Sequence, residues 1–447
     1  MRDILLALII AGSVPVCLFS PYFGVLMWYW VSYFNPHRFT FGFAYNLPVA
    51  LLVAVPTLIG VVFAKKSLRS LLTLESLLLI GLWGWYTITY VHATSVPIFV
   101  GHLAEANYEM DHISKIILMT LVMILVTTTR NRLYGVMLVT GGSLGLLALK
   151  GALFGARTAG QARVFGPPDS FLADNNAFGL VINVCLPIMY FLARNEQRKW
   201  LRRLLYVCFV SGIVSVLLTY SRGGLLGLTV VLASIIFRSR HKLVAAAAAV
   251  FALAMILALA PPAWMQRMGR FAGGDLDETA NQRLVSWETA WKFAHDFPLT
   301  GGGFDTIGDE FLYKMYQPRA LPGGLTASGP HSIYFQLLAD QGFVGVSWFI
   351  ALLLLCFNTL RRTRDMARRL PGATWLIEYT FMIETALLAF ITSGAFLGFA
   401  YLDIIYQMIG TVAVLKILLR QEIRAMYAES ATEESSTDVL EEVASPA

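Results

Sequence analysis

Apolar residues along this chain gather into long runs separated by short polar breaks. The runs fall at about 4–19, 21–34, 47–64, 71–91, 112–128, 133–150, 175–193, 203–220, 223–237, 242–260, 333–358, 374–394 and 398–419. Most approach the roughly 20 residues that a helix needs to cross the hydrocarbon of a bilayer. Continuous runs, rather than strict alternation, point to helices as the spanning elements. The pattern predicts an all-α, polytopic integral membrane protein of about twelve transmembrane helices.

The polar breaks assign sides. Basic clusters stand at Lys65, Lys66 and Arg69, at Arg130 and Arg132, at Arg194 to Arg203, at Arg238 to Lys242 and at Arg361 to Arg369. Each lies two crossings from the next, so one cytoplasmic face holds all five, as the excess of Lys and Arg on that side requires. The opposite, periplasmic face then receives 92–111, 151–174, 221–222, the long excursion 261–332 and a turn near 395. Parity fails at one place, because three runs precede Lys65 where a cytoplasmic start needs an even number. The runs 4–19 and 21–34 are short and meet at Ser20-Pro21, so one of them is expected to be partial or interfacial, with both ends of the chain cytoplasmic. The first run is read as a retained membrane helix, since further apolar segments follow it at once.

Two polar segments invite a finer reading. Segment 92–111 mixes His92, His102, Glu105, Glu109 and Asp111 with apolar residues and is expected to lie flat in the interface, its histidines solvated. Within 261–332, Thr279 with Gln282 reads as a capping box. Leu284, Trp287, Trp291 and Ala294 follow at helical spacing, ended by Pro298 and Gly301-Gly302-Gly303. This predicts an amphipathic helix with an aromatic face, resting on the membrane surface or on other helices. Residues 1–427 form the integral membrane domain. From 428 to 447 Ser, Thr and acidic residues replace the hydrophobes, which predicts a disordered acidic cytoplasmic tail.

Composition agrees with this class: 57% of residues are hydrophobic and 14% charged, with a mean hydropathy of +0.64. The net charge of +6 reports topology and does not imply nucleic-acid binding. Cys17, Cys185, Cys208 and Cys356 all fall in apolar runs, where they act as small hydrophobes.

The candidate chemistry lies on the inferred outer face. Arginines there have no topological explanation, and a guanidinium near a bilayer is costly unless an anion or carbonyls satisfy it. Arg163 stands in Ala162-Arg163-Val164-Phe165-Gly166-Pro167-Pro168. Arg222 lies between Tyr220-Ser221 and Gly223-Gly224, in a hairpin too short to leave the membrane edge. Arg283 begins the loop helix, and Arg157, Arg267, Arg270 and Arg319 are further candidates. The fork of a guanidinium matches phosphate oxygens, and several converging would suit a diphosphate; each taken alone is equally a salt bridge or a headgroup contact. His331 follows Gly329-Pro330 at the start of a spanning run. The positive end of a helix dipole disfavours imidazolium there, and a neutral imidazole is what a general base needs. A lone histidine is more often structural. Tyr334 and Gln336 on the same helix would orient a hydroxyl or serve as packing residues. Asp275-Leu276-Asp277 is a common loop pattern and carries no metal here. Glu384, inside an apolar run, either has a role or pairs with an arginine.

Taken in order, Arg163 before Phe165-Gly166, then Tyr220-Ser221-Arg222-Gly223-Gly224, Arg283 with Trp287, Pro298-Leu299 with the glycine turn, and His331-Ser332 with Gly342 resemble the O-antigen ligase superfamily. Pro21-Tyr22-Phe23-Gly24 to Trp28, with Asn35-Pro36-His37-Arg38, resembles its branch of O-glycosylation ligases found beside exosortase systems. The resemblance implies a glycosyltransferase that moves a glycan from undecaprenyl diphosphate to a hydroxyl of lipid A-core on the periplasmic side of the inner membrane, with no cofactor and no metal. It implies His331 as general base and Arg222, Arg163 and Arg283 as the diphosphate-binding residues. Ser332 stands where the family often has Asn, which leaves that neighbour without an inherited role. An O-antigen polymerase or a protein O-oligosaccharyltransferase would use the same donor. A lipid-linked sugar flippase would instead line a path through the midplane with ionisable residues, whereas here the charges gather at one face.

Overall fold

The structure, a computed structural model, describes residues 1–444 apart from 66, 240–241, 244–246, 248–277 and 319–328. Among the described residues it is helical, with turns and loops between helices. Six helices are long and apolar enough to cross a membrane: α1 (Arg2–Phe19), α6 (Arg130–Arg157), α7 (Asn175–Asn195), α8 (Lys199–Leu218), α12 (Ile333–Ala367) and α13 (Thr374–Gly394). They pack with α2 (Pro21–Phe34), α3 (Val49–Phe63), α4 (Leu74–Ser95), α5 (Leu103–Val126), α9 (Arg222–Arg238) and α14 (Asp403–Ala444). The expected run 242–260 lies outside the described residues. From Ala177 to Ala193 every residue of α7 but Tyr190 is buried, as expected for a helix apolar on all sides placed at the centre of a bundle. Side-chain oxygens cap several starts: Thr73 on α4, Thr129 on α6, Asp174 on α7 and Ser221 on α9. Each satisfies amides that have no partner within the helix. The four cysteines are free and buried.

Contacts across the bundle show which helix ends share a face. Arg2 donates to the Phe39 carbonyl at 3.4 Å, and Asp3 Oδ1 accepts from the Gly42 and Ala44 amides at 2.9 and 3.1 Å. Phe39 lies 3.9 Å from Lys150 Nζ, near the far end of α6. At the opposite end Tyr22 donates to the Arg132 carbonyl at 2.8 Å. Thus α1 begins on the face that carries 151–174, and α1, α2 and α3 each make a pass through the bundle. The start of α1 on this face differs from the expectation that both ends of the chain share the basic face, while α2 is not among the helices long enough to cross a membrane. α2 has only 14 residues, half of them buried, with Trp28, Tyr29 and Tyr33 seated in the bundle. The last helix, α14, runs on through Ala444, into the segment whose composition predicts an unstructured tail.

Segment 92–111 does not lie flat as a separate interfacial element. It finishes α4, makes a short 3-10 turn at Pro97–His102 and starts α5. His102, expected to be solvated, is buried with Nε2 2.9 Å from the Gly302 carbonyl oxygen.

Of the long excursion, 278–318 and 329–332 are described, with α10 (Glu278–Asp296) and α11 (Glu310–Tyr316). The chain is already helical at Glu278, so Thr279 sits inside α10 and not at a cap before it. α10 rests on α12: Trp287 stacks on Phe335 with centroids 5.1 Å apart, and Trp291 meets Phe343 edge-on at 5.7 Å. Of its buried side chains, Val285, Ala290 and Phe293 close a small core with Phe99, Ile307 and Leu312.

Beneath that core α12 is broken. Gly342 has φ 66° and ψ −174°, a conformation that costs a side-chain-bearing residue dearly. The glycine loop fills the break: the Gly302 and Gly303 amides donate to Ala339 and Asp340 carbonyls at 3.0 and 2.8 Å, and the Phe343 amide donates to Pro298 at 2.8 Å. Asp340 Oδ1 accepts from the Thr306 amide at 3.0 Å, and Gln341 Nε2 donates to the Gly303 carbonyl at 2.8 Å. A Cβ at Gly342 would run into the Leu299 carbonyl. We expect Gly342→Ala to destabilise the fold by at least about 2 kcal/mol, visible as a lowered thermal transition of detergent-purified protein. Glu75, fully buried at the start of α4, accepts from Lys416 Nζ at 2.9 and 3.0 Å and from Thr359 at 2.5 Å. Lys416→Met should cost about 3 kcal/mol by leaving that carboxylate unpaired, and an unchanged transition would show that water compensates it.

Candidate active site

The ends of α7, α9, α12 and α13 on the face of residues 151–174 lie near α10 and the 163–167 loop, and the predicted residues fall at that end. Arg222 is the first residue of α9, behind Tyr220, whose φ is 57°, and Ser221, whose hydroxyl caps the helix. Gly223 lies against Leu397 of the turn after α13, where a Cβ would sit 3.2 Å from Leu397 Cγ. The next residue of that turn, Gly398, packs on the His331 backbone, with a Cβ there 3.3 Å from its nitrogen. One short turn therefore separates the start of α9 from His331.

His331 itself has φ 44°. Left-handed backbone without glycine is strained and concentrates at functional positions. Two bonds support the strain: Trp287 Nε1 donates to the Pro330 carbonyl at 2.7 Å, and the Gln336 amide donates to the Ser332 carbonyl at 2.8 Å. Burial holds the imidazole below its ordinary pKa of 6.5, Arg283 on α10 pushes it lower still, and Asp174 partly opposes them. Removal from water and a nearby cation both disfavour imidazolium. His331, Arg283 and Asp174 thus share one electrostatic neighbourhood.

Arg163 is exposed on its loop with the guanidinium 6.0 Å from the centre of the Tyr220 ring. The loop is fastened by Val164, whose amide donates to the Leu218 carbonyl at 2.9 Å. A cavity of about 230 Å³ opens beside it, with Phe39, Leu147 and Phe178 as apolar walls and Lys150 and Arg163 as its cations. The structure brings Arg163 and Arg222 to the two sides of the Tyr220 turn. Arg157 is exposed at the end of α6, while Arg267, Arg270, Arg319 and Asp275 to Asp277 lie outside the described residues. Tyr334 donates to the Ile391 carbonyl at 3.3 Å and Gln336 accepts from the Ala400 amide at 3.0 Å, so both tie α12 to α13 and the turn. Glu384 is in the middle of α13, away from these residues, bridged to Arg238 at 2.9 Å and Arg364 at 2.6 Å.

Sequence reasoning missed Asp174, Lys150 and Tyr220. Lys150 closes an apolar run on the face where basic residues are disfavoured, which is a signal of the same kind that drew attention to Arg163. Asp174 reads as an ordinary helix cap, and nothing in Tyr220 announces a left-handed backbone.

A buried bundle of long apolar helices with a polar site at one end defines a helical membrane protein. Residues 207–350 match the O-antigen ligase family and residues 1–197 match a family of unknown function. The segment 207–350 belongs with the O-antigen ligase family, which indicates a membrane enzyme of the glycosyltransferase type. No curated protein matches it. Arg222, Arg283, His331 and Gly342 fall within the ligase match, whereas Arg163 and Asp174 fall in the other.

The electrostatics of His331 are open to a test that needs no substrate. Diethyl pyrocarbonate acylates only neutral imidazole, so its reaction at His331, followed by peptide mass spectrometry, should have a midpoint below pH 6.5. Losing a neighbouring cation raises a histidine pKa and losing an anion lowers it. Arg283→Gln should therefore move the midpoint up and Asp174→Asn should move it down.

Proposed function

We propose that this protein is an O-antigen ligase that transfers a glycan from undecaprenyl diphosphate to a hydroxyl of lipid A-core at the periplasmic face of the inner membrane. The observation that carries this reading is the position of His331, biased to its neutral form, beside Arg283 and one turn away from Arg222, within the segment that matches the ligase family. The basic clusters at the opposite helix ends support a multi-pass bundle with the His331 end outward.

In this mechanism His331 takes the proton of the acceptor hydroxyl as that oxygen attacks the anomeric carbon. The bond from that carbon to the diphosphate oxygen breaks, and undecaprenyl diphosphate leaves with both electrons. Arg222, Arg163 and Arg283 meet the charge that grows on the leaving group. A diphosphate leaves without protonation, so the reaction needs neither a metal nor a general acid, and direct displacement inverts the anomeric configuration. Lys150, on the same cavity as Arg163, adds a further cation to the donor side.

The test is transfer by purified protein in detergent with EDTA, using lipid-linked glycan and lipid A-core. His331→Ala should lose at least about a hundredfold in rate, and Arg222→Ala about a hundredfold, equivalent to about 3 kcal/mol of transition-state stabilisation. Full activity in His331→Ala would sink the mechanism. Product with a second glycan or a protein, and none with lipid A-core, would reassign the acceptor.

A further inference from the structure

A second cavity, of about 380 Å³, lies at the far end of the bundle, where α6 begins, α7 ends and α13 begins. Helix α13 has 21 residues, about 30 Å at 1.5 Å per residue, which separates this cavity from the His331 end. The proposed transfer makes no use of it.

Its lining is graded from polar to apolar. At the rim Arg130 and Arg198 supply two exposed guanidiniums, with Arg130 lying 5.2 Å from the Trp375 ring centre. Stacking on a ring occupies the face of a guanidinium and leaves its edge N–H groups to face a phosphate. Deeper in, Leu192 and Met382 form an apolar floor. The two carboxylates differ. Glu196 is already engaged, bonded to the Tyr134 hydroxyl and accepting from the Arg198 amide at 2.9 Å. Glu378 has one oxygen, Oε2, that is buried and has no hydrogen-bond partner. A buried carboxylate oxygen left without a donor costs free energy that a ligand N–H would recover.

Two guanidiniums above one unsatisfied carboxylate, over an apolar floor, match an amphiphile with a phosphate and a primary ammonium. We propose that this cavity binds a phospholipid with a phosphoethanolamine headgroup. The phosphate lies between Arg130 and Arg198, the ammonium pairs with the Glu378 carboxylate, and the upper acyl chain runs over Leu192 and Met382. A choline headgroup has no N–H to give, and a glycerol headgroup has no cation, so the carboxylate selects the amine. This assignment does not rest on the proposed transfer reaction.

The experiment is lipid binding to the delipidated full-length protein, read by native mass spectrometry. It compares phosphatidylethanolamine, phosphatidylcholine and phosphatidylglycerol of identical chains, with soluble glycerophosphoethanolamine as a competitor. Phosphatidylethanolamine should bind about tenfold tighter than phosphatidylcholine, the difference expected for one charge-assisted hydrogen bond. Glu378→Gln should abolish that preference, and Arg130→Ala with Arg198→Ala should weaken all three lipids. An unchanged thermal transition will show that each variant is folded. Equal binding of the amine and choline lipids, or a preference that survives Glu378→Gln, overturns the proposal. Displacement by glycerophosphoethanolamine at the same potency would assign the cavity to a soluble phosphoamine and overturn the lipid.

Discussion

Backbone amides and carbonyls inside a bilayer have no water to turn to, so every interruption of a helix must be repaired by protein. The break at Gly342 is the place where this constraint organises the molecule. Its repair requires the loop at 298–303 to enter the bundle, and that loop carries α10 with it. Once docked, α10 presents Trp287 to the Pro330 carbonyl and Arg283 to the imidazole of His331. The candidate site at this end of the bundle is thus positioned from below, through backbone bonds around a glycine.

Electrostatic design differs between the two ends. Within the bundle, charges come in closed sets: Glu75 with Lys416, and Glu384 with Arg238 and Arg364. Such sets fix how helices face one another, and each of these carboxylates is met by at least one cation. At the other end, among the described residues, Arg163, Arg222, Arg283 and Lys150 stand with Asp174, and this gathering of cations suits the diphosphate donor proposed above.

Much of the bundle was legible because its apolar runs are long and its basic clusters mark one face. The loop helix over 284–294 was legible too, since tryptophans at helical spacing had to find a surface, and they found α12. What escaped is what depends on contacts distant in sequence. The passes of α1 to α3 follow from Asp3 binding Gly42 and Ala44, which no local pattern announces. The burial of His102 follows from the position of the Gly302 carbonyl. The left-handed backbone at Tyr220 and His331 is imposed by packing against neighbours such as Gly398, at residues whose own preferences point elsewhere. His331 and the arginines stand out in sequence because a titratable residue at a helix start and charge away from the basic clusters call for a reason, and Asp174 does not because a helix cap is its ordinary use.

The ion pair between Glu75 and Lys416 also bears on how the chain is assembled. The two residues are 341 positions apart, and at the usual pace of synthesis the second follows the first by tens of seconds. Over that interval α4 has a carboxylate and no cation to meet it, so its entrance must stay close to water. Final seating of α4 is thereby coupled to the arrival of α14, and the bundle closes around its oldest unpaired charge last.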